Sequence, residues 1–368
     1  MLIPEDIKPA DGRFGCGPSK IRPAAVDALS RTAMSYLGTS HRQSVVRDQV
    51  ARLQRGITTL LDIPSGYEVV LGNGGTTAFW EVATFGLIRD RAQFAAFGEF
   101  GAKFAGSVSA APFLGEPTVH SAPPGSAAAL VYEDGVDAYC TPHNETSTGV
   151  LVPVTRVAGG GDTLMLHDAT SAAGGVDVDV SRSDCYYFAP QKNFASDGGL
   201  WIAVLSPDAI ARAYAVRDSG RYIPPFLDLV TAIENSRLAQ TYNTPALATI
   251  FLAAEQTDWV LAQGGLSWAA KRTAESAAIL YGWAERSPVA TPFVSDPALR
   301  SPVVATIDFD PSVDAAALAA TLRANGIIDT EPYRKLGRNQ LRIALFPAID
   351  PSDVEALTAC LDYVIAAN

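Results

Sequence analysis

The sequence predicts an α/β protein with two parts: a large domain, built on a mostly parallel mixed sheet covered by helices, and a smaller C-terminal α/β domain. Two observations carry this prediction. Short apolar strands alternate with helical or loop stretches through the first two-thirds of the chain, and the composition shifts near Gln263-Gly264-Gly265, after which two strand–helix units follow. The 368 residues exceed one average domain and can bury a large core. We therefore expect a large domain at 15–262 and a small one at 263–368, which the N-terminal segment 1–14 joins.

The composition favours a soluble cytoplasmic protein that binds neither nucleic acid nor membranes. The chain is 48% hydrophobic and 18% charged, and its formal net charge of −11 argues against an anionic polymer or surface as a partner. The N-terminus carries acidic residues and lacks the apolar core of a signal peptide, and no segment has the apolar length that spans a bilayer. No metal site is expected. The cysteines are far apart and form no Cys-x-x-Cys pair, so we expect reduced thiols at Cys16, Cys140, Cys185 and Cys360.

The first two-thirds of the chain contain the elements of the predicted large sheet. Apolar residues at helical spacing predict an amphipathic helix over 46–61. A short strand, Tyr67–Leu71, leads into Gly72-Asn-Gly-Gly75, and a helix begins at Thr76. Because helical or loop stretches lie between most of the later strands, we expect these strands to pair in parallel. They are Phe94–Phe97, Ala138–Cys140, Leu164–Leu166, Tyr186–Phe188 and Leu200–Leu205.

The C-terminal third continues the alternation. Leu266–Glu285 is expected to form one long helix. Asp310 and Asp350 are each followed by Pro-Ser, and an aspartate N-cap with proline at the first helical position predicts a helix start at both. The other elements expected here are a strand at Val303–Phe309, a helix at Ala315–Ala324, a strand at Leu341–Phe346 and a final helix at about Ser352–Ala367.

Asp168 and Lys192 stand at the ends of two predicted strands. A charged group at the tip of a buried strand is costly unless something pairs with it. Two interpretations remain open. The residues form an ordinary buried ion pair, or they hold pyridoxal phosphate, with the carboxylate on the ring nitrogen and the lysine joined to the aldehyde carbon as a Schiff base.

Two predicted helix starts are candidate anion sites. At the first, Gly72-Asn-Gly-Gly75 precedes Thr76 and Thr77, whose hydroxyls can add donors to the free N–H groups of a helix start. It matches neither a Walker loop nor the GxGxxG fingerprint, and a ligand-free turn is the commoner explanation. At the second, Asn243-Thr244-Pro245 precedes a helix predicted over 246–255, which Thr244 caps either alone or together with a bound anion.

Other polar and aromatic residues follow strands. Phe100 either packs in the core or stacks on the ring of an aromatic cofactor. Asn144 and Thr146 either form a plain turn or bind a cofactor hydroxyl.

Basic residues stand out in a chain with a net charge of −11. Arginine matches a carboxylate or phosphate through two parallel hydrogen bonds. Their clustering near the presumed domain cleft therefore predicts a multiply anionic substrate, although for Lys335 and Arg338 a solvated surface is the commoner explanation. The residues are His41, Arg42, Arg334, Lys335, Arg338 and Arg342.

These pieces together resemble the phosphoserine aminotransferases, which are class V members of the fold-type I pyridoxal-phosphate enzymes. The matching segments follow the family order over nearly the whole chain, and the His-Arg and Asn-Glu-Thr segments favour this family within the class. The segments are Phe14-Gly-Cys-Gly-Pro-Ser19, Ser40-His-Arg42, Gly72-Asn-Gly-Gly75, Asn144-Glu-Thr146, Asp168, Gln191-Lys192, Asn243-Thr-Pro245 and Leu341-Arg342.

The resemblance implies roles for these residues. Lys192 would carry the cofactor as a Schiff base, and Asp168 would keep its ring nitrogen protonated. Three residues would stack on the ring or position it: Phe100, Thr146 and Gln191. The cofactor phosphate would be held by Gly75, Thr76 and Thr77 and, from the other subunit of an obligatory homodimer, by Asn243 and Thr244. The substrate carboxylate and phosphate would be received by His41, Arg42, Arg334 and Arg342.

The chain departs from the family pattern at two places. Many members carry an arginine directly after the residue that matches Thr76, where this chain has Thr77. The loop before Arg342 also differs: it reads Tyr333-Arg-Lys-Leu-Gly-Arg-Asn-Gln340, whereas the commoner family sequence of this loop contains His-Arg. Whether Arg334, Lys335 or Arg338 compensates for the missing arginine stays open at this point.

The implied reaction is a transamination between L-glutamate and 3-phosphooxypyruvate that gives O-phospho-L-serine and 2-oxoglutarate by a ping-pong mechanism. This is a step of L-serine biosynthesis. The sequence leaves open whether the phosphorylated threonine precursor of vitamin B6 is a second substrate. The alternative is an aminotransferase that uses alanine or serine with glyoxylate, but the several arginines favour a phosphorylated substrate. A cysteine desulfurase fits less well, because Cys360 falls inside the predicted last helix and such an enzyme needs a loop thiol.

Overall fold

Strands and helices alternate along the chain in the computed structural model, which describes residues 1–367. The helices are α1 (Pro23–Tyr36), α2 (Ser44–Leu60), α3 (Thr76–Gly86), α4 (Glu99–Ser109), α5 (Pro207–Asp218), α6 (Leu229–Arg237), α7 (Leu247–Gln263), α8 (Gly265–Arg286), α9 (Ala315–Ala324) and α10 (Pro351–Ala366). The strands are β1 (Glu68–Asn73), β2 (Ala92–Ala96), β3 (Thr118–Ser121), β4 (Ala138–Pro142), β5 (Asn144–Glu145), β6 (Val150–Leu151), β7 (Leu164–Asp168), β8 (Cys185–Phe188), β9 (Leu200–Leu205), β10 (Ala290–Pro292), β11 (Val304–Phe309) and β12 (Gln340–Ala344). The predicted small domain ends at Asn368, which lies outside the described residues.

A seven-stranded sheet has the order β1-β9-β8-β7-β4-β2-β3. Neighbours from β8 to β3 pair in parallel, and β9 is antiparallel to both β8 and β1. Successive residues of β1 face opposite sides, so Val70 joins a core cluster with α3 and Leu71 joins one with α2. The predicted mostly parallel mixed sheet with helices on both faces is confirmed.

The carboxyl ends of β2, β4, β7 and β8 lie at one edge of this sheet, because these strands are parallel. β1 also ends there, since β9 reverses direction between β8 and β1. Binding crevices in such folds lie outside this edge. The sheet thus brings together segments that are far apart in sequence: Gly75–Thr77, Phe100, Asn144–Thr146, Asp168 and Gln191-Lys192.

A second, antiparallel sheet of β10, β11 and β12 lies in the C-terminal part. It shares a hydrophobic core with α8, α9 and α10 and with Ile3 and Phe14 near the N-terminus. The Phe14 N–H donates to Ile328 O at 3.2 Å, and its carbonyl accepts from Ala344 N at 3.0 Å. The N-terminal segment therefore packs on this second sheet.

Two predicted helix starts are wrong. Asp310 accepts from Ser312 N in a turn, and Asp314 caps α9 instead by accepting from the N–H groups of Ala316 and Ala317. The Thr244 cap is wrong because α7 begins later, at Leu247, with no side-chain cap. The side chain of Asn73 donates to Thr244 O at 2.9 Å and binds this segment to the end of β1.

The expected helices of the C-terminal part are confirmed. α10 begins with Asp350 as its N-cap and Pro351 at its first position, although the Asp350 carboxylate pairs with Arg272 at 3.0 Å instead of capping the helix. α8 forms the long helix expected over 266–285, and α9 has the predicted bounds. All four cysteines are unpaired. Within residues 1–367, no helix combines the length and apolarity that a membrane crossing needs.

Candidate active site

A cavity of about 280 Å³ opens at the carboxyl ends of the parallel strands. It contains most of the residues that the sequence predicts for cofactor binding, together with one predicted substrate residue. Those that line it are Gly75, Thr76, Thr77, Phe100, Thr146, Asp168, Gln191, Lys192 and Arg342. The large sheet explains this convergence for all of these residues except Arg342, since their segments follow strands that end at the same edge.

Asp168 ends β7 and is 9% exposed. Its Oδ1 accepts from the Thr170 N–H at 3.0 Å and hydroxyl at 2.6 Å, and its Oδ2 accepts from Trp80 Nε1 at 3.2 Å. Burial raises the pKa of Asp168, whereas the hydrogen bonds from Thr170 and Trp80 favour its ionised form. Among the described residues, no cation lies within ion-pair distance of this carboxylate. A buried carboxylate in this setting suits a cationic ligand.

Lys192 follows β8 and is 6% exposed. Its Nζ donates to Thr146 Oγ1 at 2.7 Å, and the Thr146 hydroxyl in turn donates to Ser171 Oγ at 2.8 Å. Burial lowers the pKa of Lys192 to about 8, against the opposing effect of the Asp168 carboxylate. A lysine with a lowered pKa is partly neutral near physiological pH, and the neutral amine is the nucleophilic form.

The N-terminal motif explains how Lys192 is held. Ser19 donates its N–H to Gln191 O at 3.0 Å and its hydroxyl to Lys192 O at 3.1 Å. Gly17 has a φ of 127°, and a Cβ there would lie 2.8 Å from Lys192 Cε. A larger residue at this position would therefore displace the lysine side chain.

Gly75, Thr76 and Thr77 form the N-terminus of α3, where Gly75 is the N-cap and no side chain caps the helix. The first N–H groups of a helix lack internal partners and carry a partial positive charge. Nothing lies within 4 Å of an added Gly75 Cβ, so the backbone here is open to the cavity. Thr76 Oγ1 also lies 2.8 Å from Thr170 Oγ1, which couples this loop to Asp168.

The residues present fit pyridoxal phosphate. A helix N-terminus can take the phosphate, an unpaired buried carboxylate can take a protonated ring nitrogen, and a buried lysine can take the aldehyde. Three polar atoms of cavity residues are also buried without a hydrogen-bond partner: Asn144 Oδ1, Gln191 Oε1 and Arg342 Nε. Buried polar groups normally find partners, so these atoms point to a polar ligand.

Arg342, in β12, brings the second sheet to the cavity. Its Nη1 donates to Thr146 O at 3.2 Å, and its guanidinium lies 5.3 Å from the centre of the Tyr333 ring. The Tyr333 ring in turn meets Phe100 edge to face at 5.9 Å. Arg342 is thus held at a defined place, while its Nε–H is buried without a partner.

Sequence comparisons identify the family. The aminotransferase class V family model matches residues 130–330. A putative phosphoserine aminotransferase of Mycolicibacterium vanbaalenii is 60% identical over 365 residues, which cover 99% of this chain and 98% of that protein. A phosphoserine aminotransferase of a Nocardioides species is 60% identical over 367 residues, with coverage of 99% and 98%. The chain belongs to the phosphoserine aminotransferase family.

Solved structures of phosphoserine aminotransferases share the fold. The enzyme from Cytophaga hutchinsonii aligns with a TM-score of 0.87 at 24% identity, covering 95% of this chain and 98% of that one. The pyridoxal phosphate-bound enzyme from Trichomonas vaginalis aligns with a TM-score of 0.82 at 18% identity, covering 96% and 99%. An alanine–glyoxylate aminotransferase from a Nostoc species reaches 0.77 at 19% identity, covering 99% and 96%. The predicted aminotransferase fold is confirmed, but the fold alone does not separate the two predicted substrate classes.

Three basic residues between Tyr333, which lines the cavity, and β12 differ in how they are engaged. Lys335 forms an ion pair with Glu99 of α4. Arg338 pairs with Asp308 and lies over the Phe293 ring at 4.5 Å. Arg334 is exposed and, within the described chain, has no hydrogen bond or ion pair. Of the three, Arg334 alone has no such partner in the part of the chain that the structure describes.

Four other predicted site residues lie outside the cavity lining. Thr244 Oγ1 lies 3.3 Å from His41 Nδ1, so these two residues are neighbours. Arg42, Asn243 and Thr244 are exposed. The structure thus gathers His41, Arg42, Asn243 and Thr244 on a surface beside the Gly75 loop, to which Asn73 connects them.

Sequence reasoning missed several residues of the cavity: Cys16, Trp80, Thr170 and Tyr333. Thr170 carries a usable signal, since an aspartate side chain often accepts from the backbone N–H two residues later in an Asx turn, as Asp168 does here. Trp80 is one helical turn after Thr76 but gives no local indication of its contact with Asp168. Burial raises the pKa of the Cys16 thiol, which disfavours the thiolate that a cysteine desulfurase would need.

Proposed function

We propose that this protein is a pyridoxal phosphate-dependent aminotransferase that converts L-glutamate and 3-phosphooxypyruvate into 2-oxoglutarate and O-phospho-L-serine. The observation that carries the proposal is the convergence of Asp168, Lys192 and Arg342 on one cavity, in a chain whose full-length relatives at 60% identity are named phosphoserine aminotransferases. The unengaged Arg334 near the mouth supports a substrate with a second anionic group.

When bound, pyridoxal phosphate supplies an aldehyde carbon that carries the amino group and a ring that takes up the charge left when the substrate Cα proton departs. The chain's own residues hold it for this purpose. Asp168 would keep the ring nitrogen protonated, and Phe100 would stack on the ring. Thr146 and Gln191 would position the ring, and Gly75, Thr76 and Thr77 would hold the phosphate through the α3 N-terminus.

Lys192 is the residue that moves the proton. Once substrate has displaced it, its neutral amine would accept the Cα proton of glutamate. It would then deliver this proton to the carbon that was the cofactor aldehyde. The hydroxyl of Thr146, now 2.7 Å from Nζ, would keep the amine oriented. The same steps in reverse convert the keto acid to its amino acid, so we propose that the two half-reactions alternate as a ping-pong sequence.

The substrate anions would be held at the cavity mouth. Arg342 would bind the carboxylate through its free guanidinium edge. Arg334 would bind the phosphate, together with His41 and Arg42, in place of the arginine that many family members carry at the position of Thr77. Lys335 and Arg338 already have carboxylate partners and would contribute less.

An acceptor comparison tests this function. Purified protein with glutamate should form phosphoserine from 3-phosphooxypyruvate much faster than it aminates glyoxylate or unphosphorylated hydroxypyruvate, because only the first acceptor carries a phosphate for the basic mouth. Equal or better turnover of glyoxylate would retain the cofactor chemistry and reject the proposed substrate.

We infer that the protein is a homodimer whose active sites are shared. Asn243 and Thr244 are exposed and do not line the cavity of their own chain. Exposed apolar side chains at the end of α1 and near the start of α7, such as Met34 at 99% and Tyr242 at 46%, support a covered surface there. The two regions adjoin, since the Tyr36 hydroxyl donates to Leu247 O at 2.9 Å.

Mixing two inactive variants tests the shared site. Lys192→Ala lacks the reacting amine, and the double variant Asn243→Ala/Thr244→Ala lacks the phosphate contacts. If the second pair serves the other subunit, a hybrid dimer contains one complete site, and activity returns after the two variants are unfolded and refolded together. Absence of recovery, with hybrid dimers present by mass, would assign Asn243 and Thr244 to their own chain.

The division of the chain at 262/263 and a cytoplasmic location remain part of the proposal. A separate sheet and core in the C-terminal part, joined by the N-terminal segment, support the division. Four unpaired cysteines support a reducing compartment.

A further inference from the structure

Glu145 is a fully buried carboxylate just behind the cavity. It lies in β5, between Asn144 and Thr146, which both line the cavity although Glu145 itself does not. A buried carboxylate is costly unless it is paired or well hydrogen-bonded. Within residues 1–367 it forms no ion pair, so hydrogen bonds must offset that cost.

Those hydrogen bonds come from the first turn of α4 and from Ser147. Glu145 Oε2 accepts from the N–H groups of Phe100 and Gly101, both at 3.1 Å. Glu145 Oε1 accepts from the Ser147 N–H at 3.1 Å and hydroxyl at 2.6 Å, and Ser147 Oγ accepts from Glu99 N at 3.0 Å. The first N–H groups of a helix have no partner within the helix. Glu145 and Ser147 therefore cap α4 from a neighbouring segment.

The N-cap of α4 cannot perform this role itself, because it is Gly98. A Cβ at this position would lie 2.3 Å from Glu145 Cγ and 2.6 Å from Ser147 Oγ. The glycine thus lets the two capping side chains reach the helix, and the close contact leaves them little freedom. The first turn of α4 is fixed by residues that lie outside the helix.

Phe100 is the second residue of this turn and forms a wall of the cavity, with its ring centre 5.5 Å from Lys192 Nζ. We propose that Glu145 is a positioning residue that, with Ser147, caps α4 so as to hold the Phe100 ring where it stacks on the bound pyridoxal ring. This inference rests on the proposed function of the site. It assigns Glu145 a role that its buried position otherwise leaves unexplained.

The test is Glu145→Gln, which keeps the size of the side chain but places an NH₂ group where one carboxylate oxygen accepts N–H groups. We expect the dissociation constant for pyridoxal phosphate to rise about tenfold or more, the size expected from losing a hydrogen bond to a charged acceptor. The circular dichroism of the bound cofactor should change, because the ring no longer lies against a fixed aromatic face. In the cofactor-free protein, the amides of Phe100 and Gly101 should exchange hydrogen faster.

Ser147→Ala provides a second variant, with a smaller change in the same direction, in case Glu145→Gln does not fold. The control for a general loss of stability is Asp137→Asn, which unlike Glu145→Gln also weakens a buried ion pair, with Arg212 at 2.8 Å. Asp137 is also buried and accepts backbone N–H groups, those of Arg89, Asp90 and Arg91 at 2.7–2.8 Å, but it precedes β4 at the opposite edge of the sheet. Its loss should lower the melting temperature and leave cofactor affinity and circular dichroism unchanged.

Two results would overturn the proposal. In the first, Glu145→Gln or Ser147→Ala folds and has the cofactor affinity and circular dichroism of the wild type. In the second, these variants change both properties no more than Asp137→Asn does at an equal loss of melting temperature. Failure of the proposed cofactor binding, on which this inference rests, gives a different result, because the wild-type protein would then show no absorbance from bound cofactor at all. Amide exchange in the cofactor-free chain would still report whether Glu145 fixes α4.

Discussion

The floor and the mouth of the cavity are built by different means. The floor consists of Thr146, Asp168 and Lys192, each at most 9% exposed and each hydrogen-bonded to a neighbour. The mouth contains Arg334 and Lys335, which are exposed and stand in a short loop before β12. Lys335 reaches across to Glu99 of α4, and Arg334 has no partner in the described chain.

The difference follows from the dielectric environment. Interactions between buried charges and dipoles are strong because water does not screen them, whereas an exposed ion pair contributes about 0–1 kcal/mol. The floor is therefore organised before any ligand arrives, and it should determine whether the reaction occurs. The mouth should determine which substrate is preferred. Substitutions in the two regions test this division, from the largest expected effect to the smallest.

Lys192→Ala should have the largest effect. It removes both the amine that joins the cofactor and the group that moves the proton, and general acid–base catalysis alone contributes about 10²–10⁴-fold. Steady-state turnover should fall at least that far, and the absorbance of covalently held cofactor should disappear. Lys192→Arg is the matched control: it keeps the charge but not the nucleophile, and it should be equally inactive. Normal turnover by the alanine variant would reject the proposed role of the floor.

Asp168→Asn should rank second. The amide keeps the size of the side chain but cannot stabilise a protonated ring nitrogen, so we expect kcat to fall about 10²-fold or more, as when a preorganised electrostatic group is removed. Saturating cofactor should not restore it. Thr170→Val, which removes one hydrogen bond to the carboxylate and keeps the charge, should lose far less. An Asp168→Asn variant with unchanged kcat would show that this carboxylate acts only structurally.

Arg342→Ala should act mainly on substrate binding, because Arg342 connects the floor with the mouth. A charge-assisted hydrogen bond contributes about 1.5–3 kcal/mol, which corresponds to a KM increase of about 10- to 100-fold for both amino and keto acids. Cofactor affinity should change little. Arg342→Lys should recover only part of the loss, because an ammonium lacks the planar fork. An unchanged KM would contradict the carboxylate-binding role.

The sequence predicted the floor better than the mouth, for a physical reason. Asp168 and Lys192 end apolar runs, so their positions follow from strand periodicity and from the rule that parallel strands end at one edge. The contact between Trp80 and Asp168 depends on how α3 packs, and no local pattern encodes it. The pairing of Arg338 with Asp308 likewise arises because β12, which follows Arg338, pairs with β11, which contains Asp308. The contact between Asn73 and Thr244 is likewise set by the tertiary fold, and no local pattern in the sequence indicates it.

Arg334→Ala and Arg338→Ala compare an arginine of the mouth with a nearby arginine in the same loop before β12. Arg334 is free, so its loss should raise the KM for the phosphorylated keto acid several-fold while leaving that for glutamate nearly unchanged, the size of one exposed charge interaction of about 1 kcal/mol. Arg338 is held by Asp308, and its loss should have almost no effect. Steady-state kinetics that give the KM for the phosphorylated keto acid and the KM for glutamate test this order. The reverse order would assign the phosphate contact to Arg338.

The smallest expected effect is a shift in the pH dependence of cofactor binding, which depends on the pKa of Lys192. Burial lowers this pKa to about 8, and the nearby Arg342 cation lowers it as well. The neutral amine is the reactive form, so the rate at which the cofactor-free protein combines with pyridoxal phosphate should rise with pH through about 8. Removing the positive charge in Arg342→Ala should raise the pKa of Lys192 and shift this profile to higher pH. Asp168→Asn removes a negative charge that favours the ammonium form, so it should shift the profile to lower pH. Shifts of the same sign in both variants would mean that rearrangement of the cavity, and not the charge of the two side chains, sets the reactivity of Lys192.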